Sequence, residues 1–134
     1  MNKKIGNMGE DASEKYLKSK GFTVLKRNYF SRFGEIDIIA QKQQYIVFVE
    51  VKTRKEKSLV KASEAITSSK RKKIIKTAVI YLQENPSDLQ PRFDFIEVIT
   101  DKFTNEVKFI DHFENAFLVE ESYETFWFTL RYII

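Results

Sequence analysis

The sequence predicts an α/β domain in which a mixed central sheet is flanked by helices, in the order α-β-β-β-α-β-β. Three observations carry that prediction. Two segments place apolar residues at three-and-four spacing, as a helix with one buried stripe requires. Several others alternate polar and apolar residues or run through β-branched ones, as strands do. At the centre, two such runs joined by a short polar link, GEIDIIAQKQQYIVFVEVKTR from Gly34 to Arg54, have the form of a β-hairpin.

Residues 8–20, MGEDASEKYLKSK, form the first helix, with Met8, Ala12, Tyr16 and Leu17 along its stripe and Gly21 as its stop. Glu10 falls in its first turn, where the helix dipole favours a carboxylate. Residues 22–30, FTVLKRNYF, read as a strand entering a turn at Ser31-Arg32-Phe33-Gly34. Lys26, Arg27 and Arg32 are each an ordinary surface charge alone and together a means of binding phosphates. Tyr29 and Phe30 read as core aromatics, with base stacking the alternative.

In the hairpin, residues two apart share a face. One face carries Ile36, Ile38, Ala40, Val47, Val49 and Val51, and the other Glu35, Asp37, Ile39, Phe48, Glu50, Lys52 and Arg54. With the link centred near Gln43, Asp37 stands opposite Phe48 or Glu50, so three acids and a lysine share one patch. Like charges set that close need neutralising, and hard oxygen donors on strands suit magnesium or manganese. A neighbouring ammonium can stabilise charge on a phosphate or orient a water. The same alternation also describes solvent-facing charges on a half-buried sheet.

Beyond the hairpin, residues 55–61 read as a mobile loop, and a helix follows from about Ala62 to Glu84 on Ala62, Ala65, Ile66, Ile74, Ala78, Tyr81 and Leu82, closed by Asn85-Pro86. Its basic run, Lys70-Arg71-Lys72-Lys73 with Lys76, covers more than one turn and reads mostly as a solvated surface. Residues 91–100 and 107–113 complete the sheet, with Asp94 and Glu97 as strand-surface acids and the lone His112 structural or exposed. The tail, LVEESYETFWFTLRYII from Leu118 to Ile134, is an aromatic extension that packs on the domain or on a second subunit, which makes a homodimer one expectation.

A chain of 134 residues with 43% hydrophobic and 31% charged residues suits one globular domain. The absence of cysteine excludes disulfides and thiolate metal sites and fits the cytoplasm. Neither a signal-peptide core nor a bilayer-spanning run is present, so no membrane partner is expected. Serine–histidine triads and P-loops are absent too. Net charge is +4, with cations concentrated between Lys52 and Lys73 and acids without Lys or Arg from 111 to 124. That polarity permits nucleic-acid binding.

Asp37, a gap of twelve residues, then Glu50-Val51-Lys52 resembles the D…(D/E)XK signature of the PD-(D/E)XK endonuclease superfamily. GEIDIIA followed by FVEVKTR more narrowly resembles the small bacterial YraN-like family, similar in fold to archaeal Holliday-junction resolvases. The likeness extends upstream to Gly9-Glu10, Ala12, Tyr16-Leu17 and Gly21-Phe22, downstream to Lys70 and Ala78, and on to Glu114-Asn115-Ala116-Phe117. It implies a restriction-endonuclease-like domain over residues 1–117 and a metal-dependent nuclease hydrolysing phosphodiester bonds in DNA, branched DNA included. In that reading Asp37, Glu50 and the main-chain carbonyl of Val51 hold Mg2+ or Mn2+, Lys52 orients or activates water, and Glu10 completes the acidic cluster. Glu35 and Arg54 are supporting or phosphate-contacting candidates, and Lys70 matches a lysine of the family pattern. A non-catalytic nucleic-acid-binding or protein-interaction module on the same fold is the alternative.

Overall fold

The computed structural model describes residues 3–57 and 66–117. Helix α1 (Lys3–Ser19) is followed by strands β1 (Thr23–Ser31), β2 (Gly34–Lys42) and β3 (Tyr45–Lys55), helix α2 (Ser68–Glu84), and strands β4 (Gln90–Thr100) and β5 (Val107–Phe113). This is the expected α-β-β-β-α-β-β order. The five strands form one sheet in sequence order. All neighbours are antiparallel except β3 and β4, which run parallel because α2 carries the chain back between them.

Both sheet faces are covered. On one, Ile38, Ala40, Val47, Val49, Val51, Ile96 and Val98 pack under Leu17 of α1. On the other, Ile36, Ile39, Ile46, Phe48, Phe93 and Phe95 pack under Ile74, Ala78, Tyr81 and Leu82 of α2. The aromatic members stack in series, with Phe93 centred 5.5 Å from Phe48 and 5.1 Å from Phe117. Each face thus hides the apolar stripe of one helix.

Helix α1 begins at Lys3, about two turns before Glu10, which therefore does not lie in the first turn as expected, and it ends where glycine was expected to end it. Gly21 has φ +90, its N–H donates to Lys18 O at 3.1 Å and the Phe22 N–H donates to Leu17 O at 3.0 Å, the paired bonds of a Schellman closure. Helix α2 begins at Ser68, not Ala62. Thr67 is extended, and its hydroxyl accepts from Lys70 N, so the hydroxyl-rich stretch caps the helix instead of continuing it. Strand β3 keeps Lys55, and Glu56 N donates to Thr100 O at 2.8 Å, so the expected loop starts later. The remainder of that loop, Ala62 and Ala65, and the aromatic tail lie outside the described residues.

Two expectations about faces are corrected. Ile36 packs under α2 although Ile38 packs under α1. The period-two alternation is interrupted between them. The β1–β2 ladder passes from Arg27↔Ile38 to Tyr29↔Ile36 without pairing Asn28 to Asp37, and Asn28 has φ 53. Nor is the charged face of the hairpin open, since its Ile39 and Phe48 are fully buried. Tyr29 is half-buried and donates to Glu84 at 2.9 Å, whereas Phe30 is exposed.

Asp94 and Glu97 are buried, not on the strand surface, because β4 is a central strand. The Asp94 carboxylate accepts from Arg92 Nε and Nη2, both at 2.9 Å, from His112 Nε2 at 2.7 Å and from Asn115 N at 2.9 Å. A carboxylate can only accept, so His112 Nε2 carries hydrogen. In the neutral ring Nδ1 then accepts from the Tyr16 hydroxyl, 3.2 Å away. The lone histidine is structural, tying β5 to both β4 and α1. Glu97 is paired by Arg54 Nε.

Helix α1 lies hard against β3 at Gly9. A Cβ there would fall on Thr53 Oγ1 and lie 3.4 Å from Thr53 Cβ and 3.9 Å from Val51. Gly9→Ala is therefore expected to destabilise the fold by about 1–3 kcal/mol in chemical denaturation, the range for overpacking a tight contact.

Candidate functional site

The β2–β3 ladder starts at the Gln43-Gln44 turn and runs only to Ile38↔Val49. Beyond that pair the strands part. Asp37 and Glu50, which the register would set opposite each other, stand at the fork. Asp37 Oδ2 accepts from Val51 N at 2.7 Å, closing the gap with a side-chain bond where a backbone bond is missing. The fork opens a cavity of about 500 Å3 lined by residues that include Glu10, Glu35, Asp37, Glu50, Lys52 and Lys70.

Each wall has its own origin. Glu10 comes from α1, one residue after the close approach at Gly9, and Arg27 Nη2 donates to it at 3.3 Å while Nη1 holds Asp11 at 2.6 Å. Glu35 and Asp37 come from β2. Oxygens of Glu10, Glu35 and Asp37 all lie within 4.8 Å of one another. Glu50 is 5% exposed on β3 and meets Lys70 of α2 at 2.6 Å and Lys52 at 3.8 Å. Four carboxylates thus share a partly closed space with three lysines, of which Lys70 and Lys52 pair with Glu50.

This imbalance sets the electrostatics. Burial, then the charge of Glu50, pushes Asp37 up to about 8 against the pull of its bond from Val51. Burial raises Glu35 as well, reinforced by Glu10 and Glu50. Burial and the neighbouring Lys70 lower the Lys52 ammonium. Burial disfavours the charge on Lys70 too, but its bond to Glu50 carries its pKa upward.

A stability profile follows for Asp37. In the unfolded chain an aspartate titrates near 3.9, whereas in the fold it holds its proton to about 8. The folded state therefore binds more protons between these values, and its stability falls as pH rises through that window. Thermal melts in chelator from pH 5 to 8 are expected to show wild type losing stability relative to Asp37→Asn as pH rises.

The structure gathers Glu10, Asp37, Glu50, Val51, Lys52 and Lys70 at one cavity. Among the other candidates, Arg27 anchors Glu10, Arg54 pairs with Glu97 on the far stretch of β3, Lys26 is exposed on β1, and Arg32 lines a neighbouring cavity. Glu35 stands closer to Glu10 and Asp37 than its supporting place in the sequence reading suggested. Its position two residues before Asp37, on the same strand face, was the available signal. Thr67, Ser69 and Lys73 of the α2 entrance also line the cavity, and nothing in their local sequence marked them.

Fold and site define an α/β domain built around a buried acidic cleft buttressed by two lysines. The chain belongs to the UPF0102 family, whose model, described as an uncharacterised protein family, matches residues 9–98 and so spans the acidic and lysine residues of the cleft. A UPF0102 protein of Caldanaerobacter subterraneus subsp. tengcongensis is 41% identical over 119 residues, covering 87% of this chain and 98% of the relative. One from Alkaliphilus oremlandii is 46% identical over 122 residues (87% and 100%), and one from Clostridium botulinum 43% over 122 (88% and 97%). The YraN-like likeness read from the sequence is thus a family relationship. Among the described residues no helix is long and apolar enough to cross a membrane.

Proposed function

We propose that the chain is a metal-dependent nuclease of the PD-(D/E)XK type that hydrolyses phosphodiester bonds in DNA, with branched DNA the substrate favoured by its resolvase-like resemblance. The observation that carries this reading is the convergence of Glu10, Glu35 and Asp37 within 4.8 Å, beside the buried Glu50 and its two lysines.

The donor set fits a hard divalent cation. Every side-chain ligand on offer is a carboxylate, and the excess negative charge holds a proton on Asp37 where a cation would serve instead. Asp37, with Glu10 and Glu35, would hold Mg2+ or Mn2+, and Glu50 and the Val51 carbonyl are further oxygen donors at the same fork. Such an ion supplies Lewis-acid polarisation of a phosphoryl oxygen. The remaining tasks fall to the chain. Arg27 fixes Glu10, and Lys70 fixes Glu50 and lowers the proton affinity of Lys52. Lys52, depleted of its proton more readily than an ordinary lysine, is suited to orient a water for in-line attack and accept its proton. Lys70 keeps its charge and offsets the negative charge that builds on phosphate.

Cation binding displaces the proton from Asp37, so manganese is expected to raise the melting temperature of wild type and leave Asp37→Asn unmoved. The functional test is cleavage of labelled single-stranded, duplex, flap and four-way-junction DNA, with RNA controls, in manganese. Wild type should cut, and Asp37→Ala and Lys52→Ala should not. Binding without cleavage by wild type would replace hydrolysis with the non-catalytic module reading.

A further inference from the structure

Beside the acidic cleft lies a second cavity, of about 520 Å3, lined by Arg32, Phe33, Ser69, Lys72, Lys73 and Lys76. It shares Ser69 and Lys73 with the cleft, so the two are contiguous. No carboxylate lines it. None of its four cations is paired with a carboxylate among the described residues, although the arginines and lysines around the cleft mostly are. All four are exposed.

The cavity is held in shape by uncharged groups. Thr77, fully buried on α2, donates to Lys73 O at 2.8 Å, so the bond of 2.7 Å between Ser31 Oγ and Thr77 Oγ1 is donated by Ser31. Ser31 in turn accepts from Phe33 N at 3.0 Å. Gly34 admits the helix closely, with Lys73 Cβ 3.6 Å from where its own Cβ would stand. The β1–β2 turn is thereby pinned to α2, which brings Arg32 against a helix face bearing Lys72, Lys73 and Lys76. Phe33 spaces the cations: Arg32 Cζ lies 4.8 Å and Lys76 Nζ 5.1 Å from its ring centroid.

We infer that this basic cavity is a phosphate subsite for the polynucleotide whose scissile bond enters the acidic cleft, gripping the backbone one or more phosphates away. The inference rests on the phosphodiester reading of that cleft and adds where the strand runs. Two cations already over its ring leave Phe33 as a spacer, not a stacking platform, and four exposed cations around one cavity match the oxygens that every phosphate offers more closely than the edge of any one base. Recognition here is of backbone charge and is independent of base sequence.

The test is anisotropy of labelled oligonucleotides of unrelated sequence, titrated with protein in chelator at several salt concentrations, followed by cleavage in manganese. Lys72→Ala/Lys76→Ala is expected to weaken binding at least about tenfold at 0.1 M salt and to flatten the log–log salt slope by about two. Thr77→Val, which unpins the turn without altering charge, should weaken binding and leave melting above the assay temperature. Asp37→Asn should lose cleavage and retain the full slope. If wild type binds with the steep slope, the double variant flattens it and neither cuts, the subsite stands and hydrolysis falls. Cleavage by wild type with binding and slope unchanged in the double variant overturns the subsite and leaves hydrolysis standing. A slope that varies with base sequence also overturns it.

Discussion

Lys52→Ala is expected to lower the proposed phosphodiester cleavage by about a hundred- to ten-thousand-fold, the range for loss of a positioned proton-transfer group, with the fold and manganese binding expected to persist. Lys52 is half-exposed and contributes only a 3.8 Å contact to Glu50, whose closer partner is Lys70. Its removal therefore leaves Glu50 paired. Asp37→Asn is expected to take cleavage to background by a different route, because it removes a central carboxylate and with it the expected manganese-induced rise in melting temperature. Single-turnover cleavage and thermal melts on the same two variants separate the roles. Equal loss of the melting shift in both would assign Lys52 to cation binding through Glu50 and remove it from proton transfer.

The largest effect on stability is expected at Asp94. Asp94→Ala leaves Arg92, itself largely buried, without its bidentate partner and frees His112 Nε2 and Asn115 N. Breaking a buried pair from one side typically costs about 3–5 kcal/mol, enough to unfold a domain of ordinary stability. Burial alone would raise the Asp94 pKa, but bonds from His112, Arg92 and Asn115 hold it below its usual range. The contribution is consequently full at neutral pH and is lost as pH falls through the depressed folded value, below about 3.9. Urea titrations at pH 7 and pH 3 check both statements. A wild-type-to-Asp94→Ala gap as wide at pH 3 as at pH 7 would contradict the second.

The order of elements was legible because period and punctuation agreed along most of the chain. The β5 strand matched its prediction at both ends, and the Schellman glycine closed α1 where expected. What failed depended on tertiary surroundings. Alternation in PRFDFIEVIT cannot reveal that β4 is covered on both faces, and so Asp94 and Glu97 looked like surface acids. The break at Asp37 coincides with Asn28 across the ladder, nine residues away and on another strand. For the cleft, Asp37, Glu50 and Lys52 were readable from strand spacing. Glu10 needed the family resemblance, since with the helix read as starting at Met8 a first-turn carboxylate had a sufficient local explanation, although α1 in fact starts at Lys3. The basic cavity was hidden because Lys72, Lys73 and Lys76 acquire a common purpose only when a turn forty residues earlier closes over them.

The acidic fork has a bearing on the life of the chain before it is whole. Its carboxylates come from α1, β2 and β3, and its closest counter-charge from α2, so the groups stand together only after about half the sequence has been laid down and docked. A nascent or truncated product lacking α2 carries Glu50 without Lys70 and has no second helix to cover the sheet. An incomplete copy therefore has all four carboxylates at hand but not the lysine that stands closest to Glu50.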